Sequence, residues 1–204
     1  MESIVLELAC GSLDDALSAV RAHADRIELC SALELDGLTP SLGTALEVDR
    51  ISSVPFIAMV RPRGGDFVYS LAEIRVMDRD ARLLMEAGAS GIAFGCLTRE
   101  GRIDEQSCER ILSACNGSES VFHRAFDQIP DQLEALGILM RMGVTRVLTS
   151  GGAKSALEGA KRIRALVERA AGQIEILPAG GIREENVEAV IKQTGCDAVH
   201  LSRR

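Results

Sequence analysis

Residues 4–30, IVLELACGSLDDALSAVRAHADRIELC, contain one complete strand–helix–strand unit, and this unit decides the fold. Ile4–Ala9 is a short apolar run with a single acidic residue. Ser12 and Asp15 then form a capping-box pattern that opens a helix reaching about Ala24. Arg26–Leu29 is a second apolar run of the same kind. The two runs resemble each other locally, since Leu6-Glu-Leu-Ala-Cys10 matches Ile27-Glu-Leu-Cys30. Each places a glutamate inside a strand and a cysteine at its end.

Six further runs follow at the spacing of one strand plus one helix. They are Phe56–Val60, Ser90–Phe94, Ser120–His123, Arg146–Thr149, Glu175–Pro178 and Ala198–Leu201. The intervals carry helical signals. Thr39-Pro40 reads as an N-cap followed by proline at the first helical position. Ser70 and Glu73 form a second capping box, and Leu71, Ile74, Met77, Ala81, Leu84 and Met85 make its buried stripe. Asp104 caps the next helix, Pro130 starts one ending near Gly143, and Ala153–Ala170 and Arg183–Gln193 supply the last two. Eight strands alternating with seven helices predict an α/β protein with a TIM-type (β/α)8 barrel whose last helix is missing or truncated. The whole chain, 1–204, is expected to be one domain. The flank beside the eighth strand would then expose apolar surface, which favours a homo-oligomer.

Composition narrows the partners. The net charge is −7, aromatic residues make up 3 %, and no basic stripe appears, which argues against nucleic acid. No apolar run approaches the ~18 residues of a membrane span and no charged leader precedes the first strand, so a cytoplasmic protein is expected. The six cysteines form no CxxC pair and are expected to be reduced.

In a barrel of this kind chemistry gathers at the C-terminal strand ends. Strand 3 leads into Arg61-Pro-Arg-Gly-Gly-Asp66, where two guanidinium forks suit a carboxylate or phosphate, or else pair with Glu7, Glu28 or Asp66. Strand 5 ends in His123 and Asp127, a possible proton-transfer pair. Glycine pairs after strands 6 and 7, at Ser150-Gly151-Gly152 and Gly180-Gly181, let backbone amides face a bound anion. Strand 8 lacks such a loop. Glu7 and Glu28 are carboxylates in apolar strands, costly unless paired, and are expected to converge with Arg61, His123 and His200. Cys10 and Cys30 close two adjacent strands, which lie ~4.8 Å apart, a spacing that suits a soft ion such as Cu(I).

The blocks Arg26-Ile-Glu-Leu-Cys30, Gly37-Leu-Thr-Pro-Ser41, Arg61-Pro-Arg-Gly-Gly-Asp66-Phe-Val-Tyr-Ser70, Phe122-His-Arg-Ala-Phe-Asp127, Arg146-Val-Leu-Thr-Ser-Gly151 and Val199-His-Leu-Ser202 resemble the CutC family of copper homeostasis proteins. The resemblance implies a cytoplasmic, usually oligomeric TIM barrel linked to copper. It also implies Cu(I) ligation by cysteines at the first two strand ends, here Cys10 and Cys30. The residues themselves sustain a different reading. In it a barrel enzyme of isomerase or lyase type moves a proton on a small anionic or phosphorylated metabolite. Glu28, Arg61, His123 and Asp127 would be catalytic, and Arg61, Arg63, Ser150, Gly151, Gly180 and Gly181 would bind the anion.

Overall fold

A computed structural model describes residues 4–202. Its strands are β1 (Val5–Cys10), β2 (Arg26–Leu29), β3 (Phe56–Met59), β4 (Gly91–Phe94), β5 (Glu119–Phe122), β6 (Arg146–Thr149), β7 (Glu175–Pro178) and β8 (Ala198–Ser202). Between them run α1 (Leu13–Arg21), α2 (Leu42–Ile51), α3 (Leu71–Glu86), α4 (Glu105–Leu112), α5 (Gln132–Arg141), α6 (Ala160–Ala170) and α7 (Val187–Thr194). All ladders are parallel and the sheet order is β7-β6-β5-β4-β3-β2-β1-β8, a nearly closed (β/α)8 barrel with its seam between β7 and β8.

Register assigns every strand side chain to one face. Glu7 lies opposite Arg26 and Ala9 opposite Glu28, while Leu8 lies opposite Ile27 and Cys10 opposite Leu29. Since successive side chains alternate, the first set points into the barrel and the second toward the helices. Inside, Cys30, Ile57, Met59, Ala93, Val121, Leu148 and Leu177 form a small apolar layer. Outside, Leu29, Ile92, Phe94, Phe122 and Val147 pack against Ala16, Met77, Ile111, Leu136 and Ile163 from the helices. This outer layer is the larger store of stability, at about 1.5–3 kcal/mol for each large apolar side chain fully buried.

Helix ends follow local chemistry. The capping box at α3 is complete, with Ser70 Oγ accepting from Glu73 N and Glu73 Oε2 accepting from Ser70 N. Several boundaries differ from the sequence reading: α1 stops at Arg21 rather than near Ala24, α7 starts at Val187 rather than Arg183, and two others have a clear cause. α2 is capped by Ser41, which accepts from Thr44 N, because Thr39 is drawn away to accept the Arg61 amide at 2.9 Å. α6 begins at Ala160 rather than Ala153, because the preceding turn folds back on the barrel mouth. There Ala156 N donates to Gly180 O, and Gly159 packs so tightly on the Ser150 carbonyl that no Cβ fits. On the β8–β1 flank the outward side chains Leu6, Leu8 and Leu201 are half-buried, whereas Leu29, Ile92, Phe122 and Val147 on other strands are fully buried.

Candidate functional site

A ladder of charged side chains climbs the barrel axis. At its base Arg146 and Arg26 bridge three glutamates. Arg26 reaches Glu175 at 2.7 Å and Glu7 at 3.1 Å. Arg146 meets Glu175 at 2.9 Å and Glu7 at 3.7 Å, and also pairs with Glu119. Above this base Glu7 Oε1 lies 2.8 Å from His200 Nδ1, and His200 Nε2 stands 3.7 Å from Glu28 Oε2. Glu7, Glu28 and His200 are all buried. Buried charge is costly, and here it is offset by pairing with opposite charge.

The environments split the two carboxylates. For Glu7, burial works against ionisation. The His200 hydrogen bond and the charges of His200, Arg146 and Arg26 outweigh it and hold the group below its ordinary value. For Glu28, burial dominates and the nearby Glu7 charge adds to it, so its pKa is raised. His200 is raised as well, since Glu28 and Glu7 overcome the burial that would otherwise strip its proton.

This ladder predicts a pH signature in stability. His200 holds its proton more tightly folded than unfolded. Its contribution is therefore fully present below its ordinary value of 6.5 and is lost as pH rises through the raised folded value. Glu28 adds to that alkaline decline from its ordinary 4.5 upward. Glu7 has the opposite sign, contributing above 4.5 and losing its contribution as pH falls through its lowered value. Urea denaturation across a pH series is expected to show maximal stability on the acid side of neutrality. His200→Gln should flatten the alkaline limb, and an equally steep limb in that variant would count against the assignment.

The ladder opens upward into a cleft of about 470 Å³ at the C-terminal strand ends, lined among others by Glu28, Cys30, Arg61, Phe67, His123 and Arg124. His123 is buried in the wall. Its Nδ1 accepts the Ala125 amide at 3.2 Å, and its Nε2 has no hydrogen-bond partner. Burial, with the Arg61 charge, pushes its pKa down to about 3, so the ring is neutral. Phe67 lies between the two groups, 4.9 Å from the His123 ring and 5.0 Å from the Arg61 guanidinium.

Of the predicted cluster, Glu28, Arg61, His123 and His200 line the cleft, whereas Glu7 sits below it against the barrel floor, and several residues play other parts. Arg61 donates to the carbonyls of Leu35, Gly37 and Gly65, at 2.6, 3.1 and 3.1 Å, and so ties the β2 and β3 loops together. Arg63 does not line the cleft. It pairs with Glu73 and Asp66 and donates to Val68 O. Asp127 does not hydrogen-bond to His123. Its carboxylate accepts the amides of Ser150 and Gly152, both at 3.0 Å, together with the hydroxyls of Thr149 and Ser150. The β6 loop thus already cradles an anion, the protein's own, and Gly151 N is turned to Thr149 Oγ1. Ser150 and Gly151 are therefore not presented to a ligand.

The β7 loop differs. No protein acceptor takes the amides of Gly180 or Gly181 among the described residues. Gly180 has φ +96°, and a Cβ there would crowd the Arg124 guanidinium. Arg124 is anchored by Asp127 and Ser150, at 2.8 Å each, and leaves Nη1 beside Gly180. Strand alternation continued past β5 would turn Arg124 away from His123. The 3-10 turn Arg124–Gln128 brings it back, and only that turn reveals it. Lys154 and Arg183 also line the cleft.

Cys10 and Cys30 close neighbouring strands but lie on opposite faces of the sheet. Cys10 packs in the layer facing the helices, and Cys30 in the barrel interior. The Cys30 thiol approaches the Cys10 carbonyl, at 3.5 Å. Burial and the Glu28 charge push its pKa far above the ordinary value. The donor set does not fit a two-thiolate Cu(I) centre.

Fold and site together define a (β/α)8-barrel protein with a buried carboxylate–imidazole ladder beneath a cation-rimmed cleft. A sequence model of the CutC family matches residues 4–204, so the chain belongs to the CutC family. It is 48 % identical over 202 residues to a family protein CutC of Treponema denticola, covering 99 % of this chain and 82 % of that one. A copper homeostasis protein cutC homolog of Homo sapiens is 44 % identical over 200 residues, covering 98 % and 73 %. A crystal structure named for the copper homeostasis protein CutC of Streptococcus agalactiae superposes with a TM-score of 0.93 at 36 % identity, covering 98 % of this chain and 99 % of that one. An aldolase structure at 14 % identity and a TM-score of 0.74 shares the fold. No helix among the described residues is long and apolar enough to cross a membrane.

Proposed function

We propose that the chain binds a small anionic metabolite at the barrel mouth and transfers a proton to or from it, with Glu28 as the acid–base group. One observation carries this reading: a buried carboxyl with a raised pKa, 3.7 Å from a buried histidine whose pKa is raised as well, forms part of a cleft rimmed by Arg124, Lys154 and Arg183. A carboxyl shifted toward neutrality can both give and take a proton. Arg124 with the Gly180 and Gly181 amides supplies a fork and a backbone cradle for a phosphate or carboxylate. His200 and Glu7 position Glu28 and tune it. The cleft volume suits a metabolite of modest size.

The test is a panel of small phosphorylated and carboxylated metabolites incubated with the protein in D2O, with carbon-bound deuterium followed by NMR. Enzyme-dependent exchange in at least one compound is expected. Exchange that persists unchanged in Arg124→Ala at low substrate concentration would refute the cradle.

The relatives' names bring copper to the family-level role of this chain. We infer that any direct copper contact in the cleft would involve Cys30, which lines it, rather than the Cys10–Cys30 pair. In an anaerobic Cu(I) titration against a competing chelator, Cys10→Ser should leave the affinity unchanged. Collapse of tight one-to-one binding in both single Ser variants would restore the paired site. The half-buried leucines of the β8–β1 flank support a homo-oligomer.

A further inference from the structure

We propose that the ligand of this cleft presents a carbonyl oxygen to His123 Nε2, so that the substrate is a small anion whose carbonyl adjoins the carbon that loses its proton. The inference rests on the proton-transfer reading above and specifies its substrate class. The geometry of His123 carries it. Because Nδ1 accepts the Ala125 amide, the ring proton sits on Nε2. That N–H is buried without a partner, and leaving it so costs stability that a ligand acceptor would recover. The ring is packed between Gly95 and Phe67. A Cβ at Gly95 would collide with it, and Phe67 covers it. A donor held in place in this way is preorganised for charge that develops on an acceptor.

The acceptor at His123 is best met by an uncharged oxygen. The wall nearby includes Phe67, and the Arg61 guanidinium beside it donates to three backbone carbonyls while its Nε has no hydrogen-bond partner, so its charge favours an oxygen that becomes anionic only in the reaction. A substrate phosphate or carboxylate finds its cations at the Arg124–Gly180 side instead. A neutral imidazole donating to a carbonyl is also an effective electrophile for enolisation. The step then balances without a co-reactant. The C–H bond breaks, its proton passes to Glu28, and its electron pair becomes the enolate, whose oxygen accepts from His123 Nε2–H. Return of the proton from Glu28 to that carbon reforms the carbonyl compound, and in D2O a deuteron returned in its place is the exchange the assay reads.

The experiment uses the full chain labelled with ¹⁵N-histidine. Phosphoglycolohydroxamate and N-hydroxyoxamate serve as enolate mimics carrying a phosphate or a carboxylate, and ethyl phosphate and acetate serve as anions without one. At least one enolate mimic is expected to bind roughly tenfold or more tighter than its matched anion and to move the His123 Nε2–H resonance downfield. That advantage should vanish in His123→Leu. If the simple anions bind but the mimics gain nothing, or bind without shifting His123, the carbonyl assignment is overturned and the anion cleft stands. If none of the four binds the wild type, both the cleft reading and this inference fail. The wild-type resonance decides the matter even if His123→Leu does not fold.

Discussion

Arg146→Met is expected to lower the free energy of unfolding by about 3 kcal/mol, the low end of what breaking a buried charge network costs. Arg146 is 4 % exposed and is the hub of the barrel floor, touching Glu7, Glu119 and Glu175. Its loss has unequal consequences. Glu119 is 38 % exposed and can rehydrate, and Glu175 keeps Arg26. Glu7, at 2 % exposure, retains only Arg26 and His200 to balance a charge that water does not reach. The cost falls on that carboxylate, so in the variant its pKa should rise and acid unfolding should begin at higher pH. Urea denaturation at two pH values measures both effects. Arg50→Met, which removes an exposed pair with Glu47, is the control and should change stability immeasurably. Equal effects from the two variants would show that the floor network is as dispensable as a surface pair.

Glu28→Gln is expected to abolish catalysed deuterium exchange, with a loss of about 10²–10⁴-fold, the usual range for removing a positioned acid–base group. Glutamine keeps the shape and the hydrogen-bonding atoms but cannot carry the proton. The variant should fold at least as well as wild type above neutral pH, because a buried carboxyl with a raised pKa is a burden when ionised and an amide is not. A purely structural Glu28 would show the reverse pattern, with stability lost and exchange untouched. Arg124→Ala provides the contrast. It should raise KM and leave kcat much closer to wild type, since it removes binding shared by substrate and transition state. A loss of kcat in Arg124→Ala as large as that in Glu28→Gln would move the proton transfer away from Glu28.

Much of the fold is legible in residues 4–30, because a capping box between two strand-like runs repeats its logic along the chain. The eight strands, the capping box of α3 and the seven helices among the described residues all follow from local chemistry. Local chemistry fails where a loop is recruited by another loop. Thr39 is an acceptable N-cap until the Arg61 amide claims it, and 153–159 is acceptable helix until the barrel mouth folds it back. The same holds in the site. Glu28 and His200 are recognisable because a charge inside an apolar strand has to be explained. Arg124 is not, because a 3-10 turn breaks the alternation that would place it.

Alternation of apolar residues, cap patterns and acidic composition therefore determine by themselves a (β/α)8 barrel, and the motifs determine the CutC family. Tertiary structure alone decides which of the conspicuous residues line the cleft. It spends Arg63 and the terminal nitrogens of Arg61 on holding loops, leaves Arg61 Nε without a hydrogen-bond partner, seats Asp127 in the anion cradle of β6, and turns Cys10 and Cys30 to opposite faces. The reason is physical. A residue's type fixes what it can bind, but its donors and acceptors go to whichever partner the fold brings within about 3 Å, and in most cases that partner is the protein's own backbone.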